Sequence, residues 1–443
     1  MARCLSDLSE LNKLVIEILH NKRLFTKSQI SSLKLMQTHK GSGFFQAIIK
    51  EGIIDNELLI DILQEHHLLP IINISQDHIK ILDYTKVEEY IKEGYFPYTD
   101  NKRQELIAVN NLGILDRLLG STTLSKIRLL KLPHFYSCFE QNFSHLNIVK
   151  SKFYLGLILK QPRAKDINYK KVILGFFIVF FCSLTGFINL FHLINNAGYF
   201  LQNCLKILLF KRVVSTRDKS LGQIDPAIIL PIYTILIPLY QEINKLESII
   251  SSVVELNYPK HKLDVKIIVE ADDYLLIKKL FIMKLPSYIH LLKVPYSLPR
   301  TKPKALNYAM QYSKGEYVVI YDAEDRPDSD QLLKALQAFQ SLPDEYACVQ
   351  AKLNFYNAEE NLLTKFFSME YSLWFEYLLK GLSLFNLPVT LGGTSNHFKV
   401  DILAKVGYWD AYNVTEDADL GIRHKVHMID SYTLEEAPIS LGN

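Results

Sequence analysis

Between residues 233 and 353 the sequence alternates short apolar runs with longer stretches of helical periodicity. The runs are Tyr233–Ile237, Val265–Val269, Ile289–Val294, Tyr317–Tyr321 and Tyr346–Leu353. Each is short and carries the β-branched, aliphatic and aromatic residues of a buried strand. Leu246–Leu256 and Ala305–Tyr312, between them, place apolar side chains on one helical face. Repeated strand–helix units with short links predict an α/β fold with a doubly wound, mostly parallel sheet. Ligands of such sheets bind beyond the strand ends. Two of those ends are acidic: Glu270-Ala-Asp272-Asp273 follows the second run, and Asp322-Ala-Glu324-Asp325 closes the fourth. A third acidic cluster, Glu416-Asp417-Ala-Asp419, opens a predicted helix with Thr415 as its expected N-cap. Crowded carboxylates repel one another unless a cation lies between them, and all-oxygen sites suit Mg²⁺ or Mn²⁺. One such cluster is equally what an ordinary helix start looks like. Three of them predict one convergent site for a metal and a phosphate-bearing ligand.

The remaining sequence sets the context. At 443 residues the chain is long enough for two or three domains. Its net charge of +3 implies no nucleic-acid field. Its 49% apolar and 12% aromatic content points instead to membrane contact. Cys4, Cys138, Cys182, Cys204 and Cys348 are scattered without a CxxC pair, so they are expected as reduced thiols and not as a disulfide frame or zinc site. The first residues have no apolar core of the kind a signal peptide needs, so none is expected.

Residues 8–165 read as a first domain with a weak internal repeat. Ile16, Leu19, Leu24, Phe25, Thr26, Ile30 and Leu33 align with Phe45, Ile48, Ile53, Ile54, Asp55, Leu59 and Ile62. In each copy a helix ends and Thr26 or Asp55 caps the next, so two helix pairs are expected to bury their faces on each other. Tyr95–Tyr98 and Glu105–Val109 read as short strands.

Residues 172–210 read as a transmembrane hairpin. Val172–Ile194 is apolar throughout and long enough to cross a bilayer. Tyr199–Phe210 is shorter and contains Asn203 and Lys206, so an interfacial helix is the competing reading. Lys165, Lys170 and Lys171 precede the pair, and Lys211, Arg212, Arg217 and Lys219 follow it. The expected turn, Asn195–Gly198, has no Lys or Arg, which puts both flanks on the cytoplasmic side of the inner membrane.

From residue 226 to 443 the chain resembles family-2 glycosyltransferases of the GT-A fold, close to membrane-bound cellulose and chitin synthases. IPLYQE (237–242), EADD (270–273), TKPKALNYA (301–309), YDAEDRP (321–327), GGTSNHF (392–398) and TEDADLG (415–421) carry the resemblance, in family order. It implies that Pro238, Glu242, Asp272 and Asp273 hold the base and ribose of a nucleotide-sugar donor. It implies that Asp322, Glu324 and Asp325 hold Mg²⁺ or Mn²⁺ on the diphosphate. Lys302 and Lys304 then stand near the phosphates, although surface lysines would look the same, and Asn307 on the same helix is expected to be structural. Gly393 and Thr394 border a saccharide or lipid-linked acceptor, and a tight turn would use the same residues. The resemblance implies that Asp417, with Glu416 beside it, is the base that deprotonates the acceptor for inverting transfer, where the competing reading is a capping acid. The Q-x-x-R-W motif that follows TED in this family is absent before Asn443, so a carboxy-terminally truncated transferase is expected. A non-catalytic membrane adaptor that retains donor binding is the alternative. The first domain resembles the amino-terminal domain of type II secretion ATPases, which implies a module that docks a protein partner.

Overall fold

The computed structural model describes residues 8–24, 43–50, 54–72, 79–81, 83–101, 103–161, 163–167, 169–184, 188–216, 230–423 and 425–435. The chain divides into two compact units. The first comprises residues 1–147 with 285–290 and 311–314, and the second comprises residues 148–284, 291–310 and 315–443.

The first unit carries a four-stranded sheet in the order β1 (Lys80–Ile81), β2 (Tyr95–Thr99), β3 (Glu105–Val109), β4 (Ile127–Leu129). β2 pairs antiparallel with β1 and β3, and β3 pairs parallel with β4. Helices Leu8–Asn21, Phe44–Lys50 and Asn56–Glu65 share one core, in which Leu19 of the first repeat copy and Phe45, Ile48, Leu59 and Ile62 of the second are buried together. Asp55 caps as expected, accepting from the backbone N–H of Glu57 (3.1 Å) and Leu58 (3.4 Å). Thr26 and the rest of that cap lie outside the described residues. A buried polar knot ties this helix to the sheet: Asn56 donates to Asn110 O (2.8 Å), and Asn110 donates to Glu57 Oε1 (2.9 Å).

The second unit is built on an eight-stranded sheet. Its strands are β5 (Tyr233–Leu239), β6 (Leu263–Glu270), β7 (Ile289–Val294), β8 (Tyr317–Ile320), β9 (Arg326–Pro327), β10 (Tyr346–Phe355), β11 (Asn396–Lys399) and β12 (Lys425–Glu435), in the order β7-β6-β5-β8-β11-β10-β12-β9. β5 pairs parallel with β6 and β8, as the alternation predicts. The mostly parallel arrangement continues beyond β8: β10 pairs parallel with β12 and shares the direction of β8, because both lie antiparallel to β11 between them. Two short strands run against the rest, β11 beside β8 and β10, and the two-residue β9 beside β12. Residues 396–398, read from the sequence as part of a turn, insert with Lys399 as the strand β11. β6 is buried along its whole length, including Asp264 and Lys266, which pair with each other at 2.7 Å.

The expected hairpin takes a different form. The helices run Tyr169–Leu184 and Ile188–Ser215, so Asn195–Gly198 is helical and not a turn. No proline interrupts that stretch, and Asn or Gly inside a helix costs only about 1 kcal/mol or less. Among the described residues no helix is long and apolar enough to cross a membrane. Both helices nevertheless expose their apolar side chains, with Phe176 71% and Phe200 70% accessible. The end of the second is docked: Phe210 stacks on Tyr377 at 4.6 Å between ring centroids, and Leu209 is buried where Gly381 leaves room for it.

Candidate active site

The exit of β5 and the loop after β8 open onto a cavity of about 500 Å³. Pro238, Tyr240 and Glu242 line it from β5 and its exit, Arg300 and Lys302 from the start of the Lys302–Met310 helix, and Asp322 and Glu324 from the loop after β8. Three predicted elements therefore converge as expected for ligands beyond strand ends.

The structure separates the predicted site residues by what holds them. Lys302 Nζ lies 2.6 Å from Asp322 Oδ1 and donates to Asp322 Oδ2 (2.7 Å) and Gly393 O (2.9 Å). Burial opposes charge on that ammonium, but Asp322, Glu416 and Asp325 outweigh it and raise its pKa. Lys304, two residues on, points about 200° away around the helix. Fully buried, it pairs with Glu270 Oε1 at 2.8 Å, so it is part of the core and is absent from the cavity wall.

Asp325 is likewise turned inward. It is fully buried, accepts from Asp322 N (2.7 Å), and takes a short hydrogen bond from the Thr394 hydroxyl. Thr394 in turn anchors the 392–396 loop to β8 through Ile320 O (3.1 Å). Both residues brace the turn that presents Asp322, and neither lines the cavity. Asp273 caps the Tyr274–Ile282 helix through Leu276 N (3.2 Å) and fixes the β5 exit by accepting from Gln241 N (2.7 Å). Gln241 there adopts φ +59°, a left-handed turn that this hydrogen bond supports. Asp272 pairs with Arg300 at 3.0 Å. Arg300 also donates to Tyr240 OH (2.8 Å), and its guanidinium lies 4.9 Å from the Tyr240 ring centroid. Tyr240, inside the IPLYQE stretch expected to hold the base and ribose, and Arg300, which directly precedes TKPKALNYA and was not singled out from the sequence, form a cation–aromatic pair in the cavity wall. Asn307 has the expected structural role, donating to Trp409 O (2.7 Å) and Ser151 O (3.0 Å).

The third acidic cluster stands beside this cavity without lining it, against Gly393. Helix Glu416–Arg423 begins at Thr415, whose hydroxyl donates to Asn413 Oδ1 (3.1 Å), where a cap to the helix had been expected. Asp417 accepts from Ala418 N (2.9 Å), and its other oxygen lies 3.4 Å from where a Cβ on Gly393 would stand. Gly393 is thus shared: its carbonyl meets Lys302 and its open face meets Asp417. Gly421 lets this helix approach so closely, because a Cβ there would lie 2.2 Å from Val389 O. Glu416 is buried, and its pKa is pushed up to about 7 by burial, with Asp417 and Asp322 adding to the rise. Glu242 is pushed up to about 7 as well, first by burial and then by Glu324 and Asp322. Two carboxyl groups whose pKa values are raised mainly by burial, with neighbouring carboxylates adding to the rise, mark this end of the sheet as a candidate site.

The donor set can be tested against a divalent ion. Among the described residues no three His, Cys, Asp or Glu side chains are grouped to hold one alone. Asp322 and Glu324 do face one cavity wall. Mg²⁺ characteristically uses one or two carboxylates, keeps waters and completes its shell with substrate phosphates. The residues therefore fit a cation that arrives with a diphosphate, and Asp325 drops out of the expected ligand set.

Residues 317–439 match the family model described as glycosyl transferase family group 2, so the chain carries a glycosyltransferase family 2 domain there. A probable glycosyltransferase, YdaM, of Bacillus subtilis (strain 168) is 28% identical over 199 residues, 44% of this chain and 46% of that protein. Glucomannan 4-beta-mannosyltransferase 1 of Oryza sativa subsp. japonica is 27% identical over 201 residues, 44% of this chain and 38% of that protein. The chain thus spans less than half the length of these curated relatives. Among solved structures, the mannosyltransferase PcManGT from Pyrobaculum calidifontis in complex with GDP-Man and Mn²⁺ superposes with a TM-score of 0.42 at 20% identity, over 56% of this chain and 68% of that one.

Proposed function

We propose that this chain is an inverting glycosyltransferase of GT-A type that moves a sugar from a nucleotide-diphosphate donor, a UDP-sugar in our reading, to a saccharide or lipid-linked acceptor. The observation that carries the reading is the meeting of Asp322, Lys302, Gly393 and Asp417 at one end of the sheet, beside a cavity large enough for a nucleotide.

In this reading Tyr240 and Arg300 flank the base and ribose, with Asp272 holding the guanidinium in place. Lys302 faces the diphosphate. Asp322 and Glu324 would hold Mg²⁺ or Mn²⁺, which when bound neutralises charge on the departing diphosphate. Asp417 takes the proton of the acceptor hydroxyl, and the resulting attack on the face opposite the diphosphate inverts the anomeric centre. Its carboxylate sits in the first turn of the Glu416–Arg423 helix, beside Gly393. Glu416, buried beside it, limits water access and holds the local charge balance.

The exposed apolar helices Tyr169–Leu184 and Ile188–Ser215 support a membrane-bound enzyme whose two soluble units face the cytoplasm. The first unit is then the surface for a protein partner. Flotation with liposomes tests this placement, and recovery of the chain in the lipid-free fraction overturns it. The transfer itself is tested by turnover of UDP- and GDP-sugars with Asp417→Asn and Asp322→Ala. Loss of a general base typically costs about 10²–10⁴-fold, and unchanged turnover in both variants would sink the assignment.

A further inference from the structure

Lys302 stands where a cation would. Three oxygens surround its Nζ: both Asp322 carboxylate oxygens at 2.6 and 2.7 Å, and Gly393 O at 2.9 Å. The carboxylate it holds is the one best placed to bind a divalent ion. The turn that presents Asp322 is held through its backbone N–H, by Asp325 at 2.7 Å and the Thr394 hydroxyl at 3.3 Å. Lys302 can turn away: it is the first residue of its helix, and its compact ammonium rides on a flexible four-carbon stem. Its neighbour Lys304 is locked by Glu270 and is no substitute. The ammonium contacts both Asp322 oxygens, so a divalent ion on that carboxylate has to displace it, and an entering diphosphate offers the ammonium another anionic partner.

Resting on the transferase reading above, we propose that Lys302 gates the metal site. In the donor-free protein its ammonium occupies Asp322 and keeps a divalent cation out. When a nucleoside diphosphate enters the cavity, Lys302 moves onto the phosphates and releases Asp322 to the cation. Metal and nucleotide then bind as a coupled pair, and each raises the affinity of the other by the same factor. The device stops the site from filling with metal alone, and it delivers two cations, three positive charges in all, to the diphosphate in one step.

The test measures Mn²⁺ binding to the full chain, from the electron paramagnetic resonance of free Mn²⁺, alone and with UDP or GDP. The wild-type chain is expected to bind Mn²⁺ weakly alone and about tenfold or more tighter with nucleotide, within the usual span of such coupling. Lys302→Gln is expected to bind Mn²⁺ alone about tenfold more tightly than wild type and to gain less from nucleotide. Lys302→Met is a second neutral variant with the same expectation, and Lys302→Arg is expected to behave as wild type. Adding Asp322→Asn to Lys302→Gln is expected to abolish the gained affinity, which locates it. The inference is overturned if wild type binds Mn²⁺ equally well with and without nucleotide. It is overturned too if the neutral variants bind nucleotide but gain no Mn²⁺ affinity. If wild type binds neither UDP nor GDP, the transferase reading fails, and the inference with it.

Discussion

Replacing Lys304 with methionine separates two lysines that look alike in TKPKALN. Methionine keeps the stem's volume and removes the ammonium. The partner left behind, Glu270, is 8% exposed, and one of its oxygens has no hydrogen-bond partner even in the intact pair. Burial already raises the Glu270 pKa, against the pull of Lys304. Removing one member of a buried ion pair costs about 3–5 kcal/mol, because the surviving charge is uncompensated. Glu270 escapes part of that cost by taking a proton. Its folded pKa then stands still further above the unfolded value, so the native state binds more protons and stability falls as pH rises. The loss in Lys304→Met is therefore expected to be larger at pH 8 than at pH 5, by about 1.4 kcal/mol per pH unit over the window between the two pKa values. The assay is urea unfolding followed by tryptophan fluorescence. Both tryptophans, Trp374 and Trp409, lie in the second unit, and Trp409 is hydrogen-bonded to Asn307 on the Lys304 helix, so the signal reports on the right unit. Lys304→Met/Glu270→Leu is expected to recover most of the loss. A single variant as stable as wild type, or one whose loss is the same at both pH values, refutes the reasoning.

Two further outcomes follow from the same sheet. His397 is fully buried between Tyr233 OH (2.7 Å at Nδ1) and Gln331 Oε1 (3.3 Å at Nε2), and burial pushes its pKa down to about 3. Below its unfolded pKa the unfolded chain binds the extra proton, so this histidine lowers stability as pH falls from about 6.5 towards 3, by about 2 kcal/mol at pH 5. His397→Gln removes that titration, so its stability deficit relative to wild type should shrink between pH 7 and pH 5 in the same urea assay; a constant deficit contradicts it. Gly421→Ala forces a Cβ to within 2.2 Å of Val389 O and 2.9 Å of Leu391 N, both backbone atoms that cannot yield cheaply. It is expected to cost about 1–3 kcal/mol and, by shifting the Asp417 helix about 1 Å, to lower kcat by about 10²-fold. Nucleotide affinity should be retained, and a normal kcat would show that the helix tolerates the displacement.

Much of this molecule was legible in one dimension. Burial on two faces leaves a periodic trace, so β5, β6, β7, β8 and β10 were found within a few residues of their ends. The strand-end carboxylates Asp322 and Glu324, and the helix-opening Asp417, could be read as a converging set because a sheet aims its strand ends in one direction. Asn307 was recognisable as structural from its place on a packed helix. What the sequence could not decide is which of several chemically identical groups faces the cavity. Lys302 and Lys304, Asp322 and Asp325, and Asp272 and Asp273 differ only in the direction each side chain takes, and direction comes from packing around the helix and the tightness of one turn. Nor could it show that Asn396–Lys399 is a strand, because four residues between two partners are held by those partners' hydrogen bonds and leave no periodicity of their own. Residue types are local and fix which chemistry is possible. Whether a carboxylate holds a lysine or a backbone N–H is often set by distant neighbours that only the fold brings together: Asp322 meets Lys302 across 20 positions and Asp273 meets the Gln241 N–H across 32.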